Sequence, residues 1–361
     1  MDLDPLVALL TSSAAADRFS GAVRIDEGQT TLLRQAFGLA SRTWRVPCHV
    51  DTRFDVASVT KLFTAVAVLQ QVEGGSFDLE TRVVPYLNLR NTSISDEVTA
   101  YQLLTHTSGI ADDADEEAGE RYEDLFVTRP NYAIRQTADF LPQFAHKAPN
   151  FAPGQGCRYC NCGYILLGLM VERATGATYR DYVTEHVFRR GGMDRSGFFA
   201  MDVVTQDVAE GADGVKDGSG DILRWRRNIY SYPPVGSPDG GAHVTVDDLI
   251  TFHHALRDGR LLTRSLADEM LAPHEDHKAG AELTHRTGYG LEFDVDQQGE
   301  VVVYWKEGMN VGASAMLAHY PSLDLTLSIA SNMEDGVWEP VALFDGLVAE
   351  VTGVVAHQGW T

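Results

Sequence analysis

The sequence predicts an α/β (α+β) fold in which both ends of the chain build the sheet and a helical region is inserted between them. Near the start, 21–25 and 30–36 alternate apolar and polar residues around an Asp26-Glu27-Gly28 turn, which is typical of a hairpin. Strand-like runs return near the end of the chain, at 289–295, 301–305, 313–320 and 325–331. Because the intervening residues show helical spacing, we expect both ends to form one α/β unit.

Helices account for most of the remaining chain. Apolar residues recur at helical spacing from Phe54 to Gly75, where a Gly-Gly pair ends the pattern, and this helix is apolar enough to be buried. The middle of the chain, 99–188, is mostly helical and is divided by glycines and prolines. The stretch 213–241 is rich in glycine and proline and is predicted to be a loop, whereas 246–256 and 340–352 are predicted helices.

We expect a single domain, 1–361, with two parts. Residues 1–90 and 240–361 form the α/β part, and residues 91–239 form the mostly helical part. The composition, with 44% hydrophobic and 22% charged residues, is that of an ordinary globular protein. A chain of 361 residues is long enough to bury a full core.

The charge balance argues against several kinds of partner. The chain has 29 basic and 51 acidic residues, a formal net charge of −22, whereas nucleic acids and anionic membranes need clustered Lys and Arg. We therefore expect no nucleic-acid and no membrane partner. No run approaches the roughly 18–20 apolar residues of a membrane-spanning helix, and Asp2 and Asp4 stand where a secretory signal would be basic. These features favour a cytoplasmic protein and leave its oligomeric state open.

Three of the four cysteines, Cys157, Cys160 and Cys162, are close enough in sequence to suggest a metal site. Tetrahedral zinc usually takes four ligands from two separated pairs, and the sequence has no second cysteine pair. The acidic run from Asp112 to Glu123 is interpreted as a solvated loop because like charges repel, with cation binding as the alternative. We expect no metal and no cofactor.

The segment Ser58-Val59-Thr60-Lys61 places a hydroxyl and an amine three residues apart at the start of the buried helix. Residues at i and i+3 share one helix face, so the Lys61 amine can reach the Ser58 hydroxyl. A serine is a poor nucleophile until another group takes its proton, and a lysine can do so when burial disfavours its charged form. The spacing thus permits nucleophilic catalysis, although such a motif also arises by chance.

A second element, Tyr159-Cys160-Asn161, could supply a proton relay. A buried tyrosine near a lysine can act as a phenolate base or pass a proton onward. The same Y-x-N pattern occurs at Tyr86-Leu87-Asn88, where the preceding Val-Val-Pro favours a packing role. The motif is therefore informative only together with its neighbours.

Several longer segments give a more specific indication. They are Phe54–Lys61, Leu103–Gly109 (L-L-T-H-T-S-G), Tyr159–Gly168, Gly191–Met193 and Gly240–Leu249. With these motifs the sequence, from about Phe19 to Val351, resembles the class C-like branch of the serine β-lactamase and penicillin-binding-protein superfamily. That branch includes β-lactamase-like esterases, D-aminopeptidases and D,D-carboxypeptidases. The resemblance implies a β-lactamase-like fold, with an antiparallel sheet flanked by helices.

The resemblance also implies roles for individual residues. Ser58 would be the acylated nucleophile, Lys61 would activate it, and Tyr159 would be the general base or acid. Asn161 would hydrogen-bond Lys61 or the acyl side of the substrate. His106 would belong to a structural loop of the family.

The segment Lys306-Glu307-Gly308-Met309 resembles the third family motif, K-T-G or H-x-G, on the strand beside the nucleophile. Lys306 would supply positive charge to the substrate site, and Gly308 would allow the backbone to approach the substrate. The backbone N–H groups of Ser58 and Met309 would be the two oxyanion donors.

Glu307 and Met309 depart from the family pattern, in which these positions are often hydroxylic and bind a substrate carboxylate. A carboxylate at Glu307, about 5 Å from a substrate carboxylate, would repel it by roughly 3 kcal/mol at an effective dielectric constant of about 20. A partner such as Lys306 would neutralise this repulsion, and a side chain turned to solvent would remove it. We expect the site to disfavour β-lactams and peptide carboxyl ends, and to prefer a neutral ester or amide or a substrate with an amine.

Three functions therefore remain open. The favoured one is a serine hydrolase that forms an acyl-enzyme on an ester or amide small molecule, which could contain a D-amino acid, with transfer to an acceptor other than water as a variant. The second is a β-lactamase or D,D-carboxypeptidase. The third is a non-catalytic binding member of the fold, against which the presence of Ser58, Lys61 and Tyr159 argues.

Overall fold

An eight-stranded antiparallel sheet forms the centre of the protein, whose computed structural model describes residues 1–219 and 222–354. In chain order the strands are β1 (Gly21–Glu27), β2 (Thr30–Phe37), β3 (Leu39–Ser41), β4 (Val46–Pro47), β5 (Phe54–Asp55), β6 (Ala212–Lys216), β7 (Ile222–Arg227), β8 (His243–Val244), β9 (Glu275–Ala279), β10 (Leu283–Thr287), β11 (Glu292–Asp296), β12 (Val301–Asn310), β13 (Ala313–Tyr320) and β14 (Leu325–Ser331). The large sheet has the order β2-β1-β14-β13-β12-β11-β10-β9. The predicted sheet from both ends of the chain is confirmed, because β1 pairs with β14 from Gly21↔Ser331 to Glu27↔Leu325.

Helices cover both faces of this sheet. They are α1 (Asp4–Ala15), α2 (Thr60–Glu73), α3 (Val83–Leu87), α4 (Ala100–Leu104), α5 (Leu141–Phe144), α6 (Asn161–Thr175), α7 (Tyr179–Val183), α8 (Val246–Arg257), α9 (Arg264–Met270) and α10 (Trp338–Thr352). On one face, α1 and α10 close a core that includes Leu10, Ile25 and Phe344. On the other, α2, α6 and α8 form a larger core, in which α2 is buried from Thr60 to Gln71. That buried helix gives the segment before it a rigid support.

The structure corrects the sequence predictions in several places. The helix predicted from Phe54 begins at Thr60, because Phe54 and Asp55 pair with β8 and a 3₁₀ turn, Ala57–Val59, follows. The loop predicted at 213–241 contains most of a hairpin, β6–β7. The polar strands β9 and β10 were not predicted, nor was α1. In the middle region, much of the helical structure between 116 and 140 consists of short 3₁₀ turns.

No helix in 1–219 or 222–354 has the length and apolar character needed to cross a membrane. The division of the single domain into an α/β part and a mostly helical part stays a proposal. It is supported by the strands of the large sheet, which all lie within 21–37 and 275–331.

Candidate active site

Ser58 lies in a short turn that two neighbouring segments hold in a strained conformation. The preceding residue, Ala57, has φ +42°, in the left-handed region that costs free energy for a residue with a Cβ. The Asp55 carboxylate accepts the Ala57 N–H at 2.8 Å, and the Ala57 carbonyl accepts the Gly241 N–H at 3.3 Å. These bonds fix the turn that presents the partly exposed Ser58.

Gly308 on β12 packs directly against this turn. A Cβ built on Gly308 would lie 2.1 Å from the Val56 carbonyl oxygen and 2.8 Å from the Ser58 nitrogen. Such separations are far below van der Waals contact, so glycine is required here. The close approach places the β12 backbone beside the nucleophile.

Lys61, the second residue of α2, is completely buried. Its Nζ donates to Ser58 Oγ at 3.1 Å, to Asn161 Oδ1 at 2.8 Å and to the Asp239 carbonyl oxygen at 2.7 Å. The i, i+3 contact that the sequence predicted between Ser58 and Lys61 is therefore present. The three acceptors aim the Lys61 amine at the serine hydroxyl.

Tyr159 contacts the same serine from the other side. Its hydroxyl is 2.7 Å from Ser58 Oγ, and its ring lies between two ammonium groups, 4.9 Å from Lys61 Nζ and 4.8 Å from Lys306 Nζ. Two nearby positive charges stabilise negative charge on a phenol oxygen. This arrangement suits a tyrosine that exchanges a proton with Ser58.

His106 packs against this tyrosine and also lines the cavity that contains Ser58. The imidazole accepts the Cys160 N–H at 3.2 Å through Nδ1, and its ring lies 4.7 Å from the Tyr159 ring. Burial, Lys306 and Lys61 together lower the pKa of His106 well below its usual value, so the ring is neutral. These contacts agree with the structural role expected for His106.

Asp112 was not predicted as part of the site. One carboxylate oxygen accepts the Asn161 N–H at 2.8 Å and the Asn161 Nδ2 at 3.2 Å, and the other accepts the Cys162 N–H at 2.9 Å. Asp112 thus satisfies two N–H groups at the start of α6 and turns the Asn161 oxygen toward Lys61. The interpretation of the acidic run as a solvated loop was wrong at Asp112 and Asp113, which are buried.

The Cys157-Cys160-Cys162 cluster is a set of free thiols. Asp112, Asp113 and Cys162 have possible ligand atoms within 4.8 Å of one another. Burial and the Asp112 charge raise the pKa of Asp113 well above its usual value, and burial raises that of Cys162. Because these shifts favour the protonated forms of Asp113 and Cys162 and both Asp112 oxygens accept N–H groups, the cluster is poorly suited to a cation.

Lys306 is buried on β12, where its ammonium pairs with Glu292 of β11 at 2.6 Å. Glu292 is also 3.3 Å from His285, which lies 3.6 Å from Asp294. Burial lowers the pKa of His285, but its hydrogen bonds to Asp294 and Glu292 outweigh this and raise it to about 9. Burial likewise opposes ionisation of Glu292, whereas Lys306 and His285 lower its pKa and keep it charged. The positive charge expected at Lys306 is therefore largely balanced by Glu292.

A cavity of about 620 Å³ opens in front of these groups. Ser58, Tyr159 and Lys306 line it, together with Glu307 and Met309 of the third motif. Glu307 lines the cavity with its residue as a whole, while its Oε2 atom is buried, so the repulsion of a substrate carboxylate by Glu307 stays a prediction. Glu117 and Glu292 add two further carboxylates to its wall, and Lys278 adds a second amine.

The sequence model of the Beta-lactamase family matches residues 7–348. The chain belongs to this family. It is 31% identical to Esterase EstB of Burkholderia gladioli over 311 residues, covering 80% of this chain and 78% of the esterase. It is 26% identical to Penicillin-binding protein 4 of Amycolatopsis lactamdurans over 334 residues, covering 88% of this chain and 82% of that protein.

Solved structures agree with the fold of the family. A penicillin-binding protein from Bacillus halodurans superposes with a TM-score of 0.85 at 34% identity, covering 93% of this chain and 99% of that one. A D-amino acid amidase from Ochrobactrum anthropi superposes at 0.75 with 20% identity, covering 98% and 99% of the two chains. The predicted antiparallel sheet with flanking helices is confirmed.

Proposed function

We propose that this protein is a serine hydrolase that forms an acyl-enzyme at Ser58 and acts on an ester or amide of a small molecule. One observation carries the proposal: Ser58 Oγ lies 2.7 Å from the Tyr159 hydroxyl and 3.1 Å from Lys61 Nζ, at the edge of a cavity. A serine held against two groups that can exchange its proton is the arrangement that nucleophilic catalysis needs. The esterase and amidase among the similar proteins support this class of substrate.

In the proposed reaction, Ser58 Oγ attacks the substrate carbonyl while its proton passes to the Tyr159–Lys61 pair. The C–O or C–N bond to the leaving group then breaks, and the same proton goes to that group. Water repeats the sequence on the acyl-enzyme and releases the acid. The backbone N–H groups of Ser58 and Met309 would hold the oxyanion, and Gly308 supports this assignment because it brings the β12 backbone against the turn.

Glu307, Glu292 and Lys306 would set the preference among substrates. Lys278 adds a second amine to the cavity wall, but Glu292 balances Lys306 and both Glu117 and Glu307 add negative charge, so we expect a substrate carboxylate to gain little attraction there. We propose that neutral or amine-bearing esters and amides are preferred over β-lactams and peptide carboxyl ends. A β-lactamase or D,D-carboxypeptidase activity is the second candidate, because penicillin-binding proteins are among the relatives.

Parallel hydrolysis of p-nitrophenyl butyrate and nitrocefin, with Ser58→Ala as the blank, tests the proposal. Ester turnover that Ser58→Ala abolishes, with little nitrocefin turnover, is the expected result. Efficient nitrocefin turnover would favour the second candidate and contradict the role given to Glu307. Absence of turnover, together with absence of labelling by a fluorophosphonate, would overturn the enzyme assignment.

Replacing Glu307 by Thr tests the specificity argument directly. Loss of the carboxylate should raise nitrocefin acylation by up to about 10²-fold, the equivalent of roughly 3 kcal/mol. Butyrate ester turnover, in which no substrate carboxylate takes part, should change much less and serves as the control. The cytoplasmic location stays a prediction, which cell fractionation would check.

A further inference from the structure

A chain of alternating charges leads from the active-site cavity toward the edge of the sheet. Lys306 Nζ lies 2.6 Å from one carboxylate oxygen of Glu292, and the other oxygen lies 3.3 Å from His285 Nε2. His285 Nδ1 lies 3.6 Å from Asp294 Oδ1. Lys306 and Glu292 line the cavity that contains Ser58, whereas His285 is not among the described residues that line it. Glu292 therefore separates His285 from the cavity.

Strand pairing holds His285 in this place. His285 on β10 lies directly opposite Asp294 on β11, so the two side chains share one face of the sheet. Glu292 precedes Asp294 by two residues on the same strand and therefore shares that face. The exposed fractions of the three side chains are between 8% and 23%, so water and salt screen their charges only in part.

The two carboxylates determine the charge of His285. A neutral imidazole offers one donor and one acceptor, whereas a carboxylate only accepts. An imidazole that faces a carboxylate at each nitrogen is therefore satisfied as the imidazolium. Burial lowers the pKa of His285, but Asp294 and Glu292 raise it, to about 9 overall. His285 thus carries a positive charge at neutral pH and loses it in mildly alkaline solution.

Other titratable groups surround His285. From β9, Lys278 lies opposite His285 in the ladder, and the His277 ring centroid is 5.2 Å away. Burial and the charge of His285 lower the pKa of His277, and Glu117 lies 4.0 Å from that ring. From β12, the uncharged Trp305 ring packs 5.3 Å from His285. Of the two imidazoles, His285 is therefore the one that the carboxylates hold in its charged form.

We propose that His285 is a positioning residue that sets how well the active site accepts anionic rather than neutral substrates, because it shares Glu292 with Lys306. While His285 is charged, the four groups of the chain, which end at Asp294, carry no net charge. Loss of the His285 proton leaves them with one negative charge, and a substrate carboxylate near Lys306 then meets less attraction. The inference rests on the proposed function, because it assigns a specificity to that same site.

The ratio of kcat/KM for nitrocefin to that for p-nitrophenyl butyrate tests the proposal between pH 7 and pH 10, with Ser58→Ala as the blank. Of the two substrates, nitrocefin carries a carboxylate. In the wild type the ratio should fall by about three- to tenfold as the pH rises through the pKa of His285. In His285→Gln the ratio should be low throughout and should not fall, because glutamine has no charge to lose.

His146→Gln is the matched control, since it makes the same substitution at an exposed histidine. This variant should keep the wild-type fall in the ratio. A fall of the same size in His285→Gln would assign the effect to another group, such as Lys306, and would overturn the proposal. A ratio that does not change with pH in the wild type would overturn it as well.

Binding without turnover separates this result from the fate of the hydrolase proposal. Ser58→Ala keeps Lys306, Glu292 and His285, and equilibrium dialysis gives its Kd for nitrocefin. The Kd should rise by about three- to tenfold between pH 7.5 and pH 10, and the double variant with His285→Gln should not show this rise. A rise in Kd without any turnover by the wild type would reject the hydrolase and support the inference. An unchanged Kd, or no binding at either pH, would contradict the inference.

Histidine NMR measures the charge of His285 itself. In the wild type, one imidazole that is missing from the spectrum of His285→Gln should titrate near pH 9. Asp294→Asn removes one of the two carboxylates, so this titration, and the fall in the substrate ratio with it, should move to lower pH. The wild-type titration decides the matter even where a variant fails to fold. A His285 signal that titrates below pH 8 would overturn the proposal.

Discussion

The Asp112 carboxylate accepts two hydrogen bonds from Asn161, from the backbone N–H at 2.8 Å and from the side-chain Nδ2 at 3.2 Å. The Oδ1 atom of Asn161 in turn accepts a hydrogen bond from Lys61 Nζ at 2.8 Å. A carboxylate that does not face the cavity thus orients the amine beside Ser58. Asp112 is a positioning residue in the proposed mechanism.

Asp112→Asn should lower kcat for ester hydrolysis by about 10–10²-fold. In the wild type, the N–H groups of Asn161 and Cys162 are accepted by two different carboxylate oxygens. The asparagine side chain would offer only one acceptor oxygen, and its NH₂ group would place a donor against either the Cys162 N–H or Asn161. The pH profile of kcat should shift as well, because the Lys61 environment changes.

Asp113→Asn is the matched control. Burial and the Asp112 charge raise the pKa of Asp113, which favours its neutral form, and its described hydrogen bond goes to Ala114 and not to Asn161 or Lys61, so an amide of the same shape should change kcat by less than about threefold. Equal losses in the two variants would show that Asp112 acts only through general stability.

Glu292→Gln should expose the charge of Lys306 to the cavity. The Lys306 ammonium would lose its charged partner at 2.6 Å and become available to a substrate carboxylate. The rate of nitrocefin acylation should therefore rise by roughly tenfold or more. Steady-state hydrolysis of nitrocefin and p-nitrophenyl butyrate measures the change. An unchanged ratio of the two rates would contradict the balance that we assign to Glu292.

Gly308→Ala should abolish ester hydrolysis, with a loss of more than about 10²-fold, since its Cβ would lie 2.1 Å from the Val56 carbonyl. Gly346→Ala provides the control, because Gly346 is exposed on α10 with no atom within 4 Å of a Cβ. Alanine there should leave activity intact and stabilise the helix by about 0.5–1 kcal/mol. An active Gly308→Ala enzyme would show that β12 does not have to touch the nucleophile turn.

Acid should destabilise the protein through His319. Burial, with a smaller contribution from Arg257, lowers the pKa of His319 from 6.5 to about 4. The unfolded chain therefore binds more protons than the folded one between these pH values. The stability that the neutral His319 contributes to the folded state is present above pH 6.5 and is lost as the pH falls to 4. The loss is about 3 kcal/mol.

Urea unfolding of the wild type and His319→Gln between pH 7 and pH 4 measures this term. Glutamine can still bond Thr326, which lies 2.9 Å from His319 Nδ1, but it does not titrate. As the pH falls from 7 to 4, the free energy of unfolding of the wild type should fall relative to that of His319→Gln by about 3 kcal/mol. Parallel acid dependence in the two proteins would assign the effect to other groups.

The site residues that lie in short sequence motifs could be predicted from the sequence. Ser58 and Lys61 are three residues apart on one chain segment, and Tyr159 precedes Asn161 by two, so their types and spacing are visible without coordinates. The family resemblance then brought the two segments together, and the structure places Lys61 and Tyr159 against the Ser58 hydroxyl and Asn161 against Lys61.

The supporting residues lacked such a signal. Asp112 reaches α6 across 49 positions, and it lies in an acidic run that composition alone assigns to solvent. Asp239 contributes a carbonyl oxygen, which every residue has. Glu292 and Lys306 meet because β11 pairs with β12. The sequences of the neighbouring polar strands do not show which residues lie opposite one another in this pairing.

The fold prediction failed where context overrode local pattern. Residues of β9 and β10 are largely polar because β9 is the edge strand of the sheet and β10 lies next to it, where most side chains are exposed or half-buried and alternation of apolar side chains is not required. Phe54 and Asp55 continue the helical pattern of α2 in sequence, but strand pairing with His243 and Val244 extends them.

The pairing of β1 with β14 also constrains how the protein is made. Ser331 donates to the carbonyl of Ser20 across 311 positions, so the first and the last of the described strands lie side by side in the sheet. During synthesis β1 has only β2 as a partner, and its β14 edge stays open until β14 has emerged from the ribosome. The nascent chain must therefore keep an unpaired strand edge apart from other chains while the residues between β1 and β14 are made.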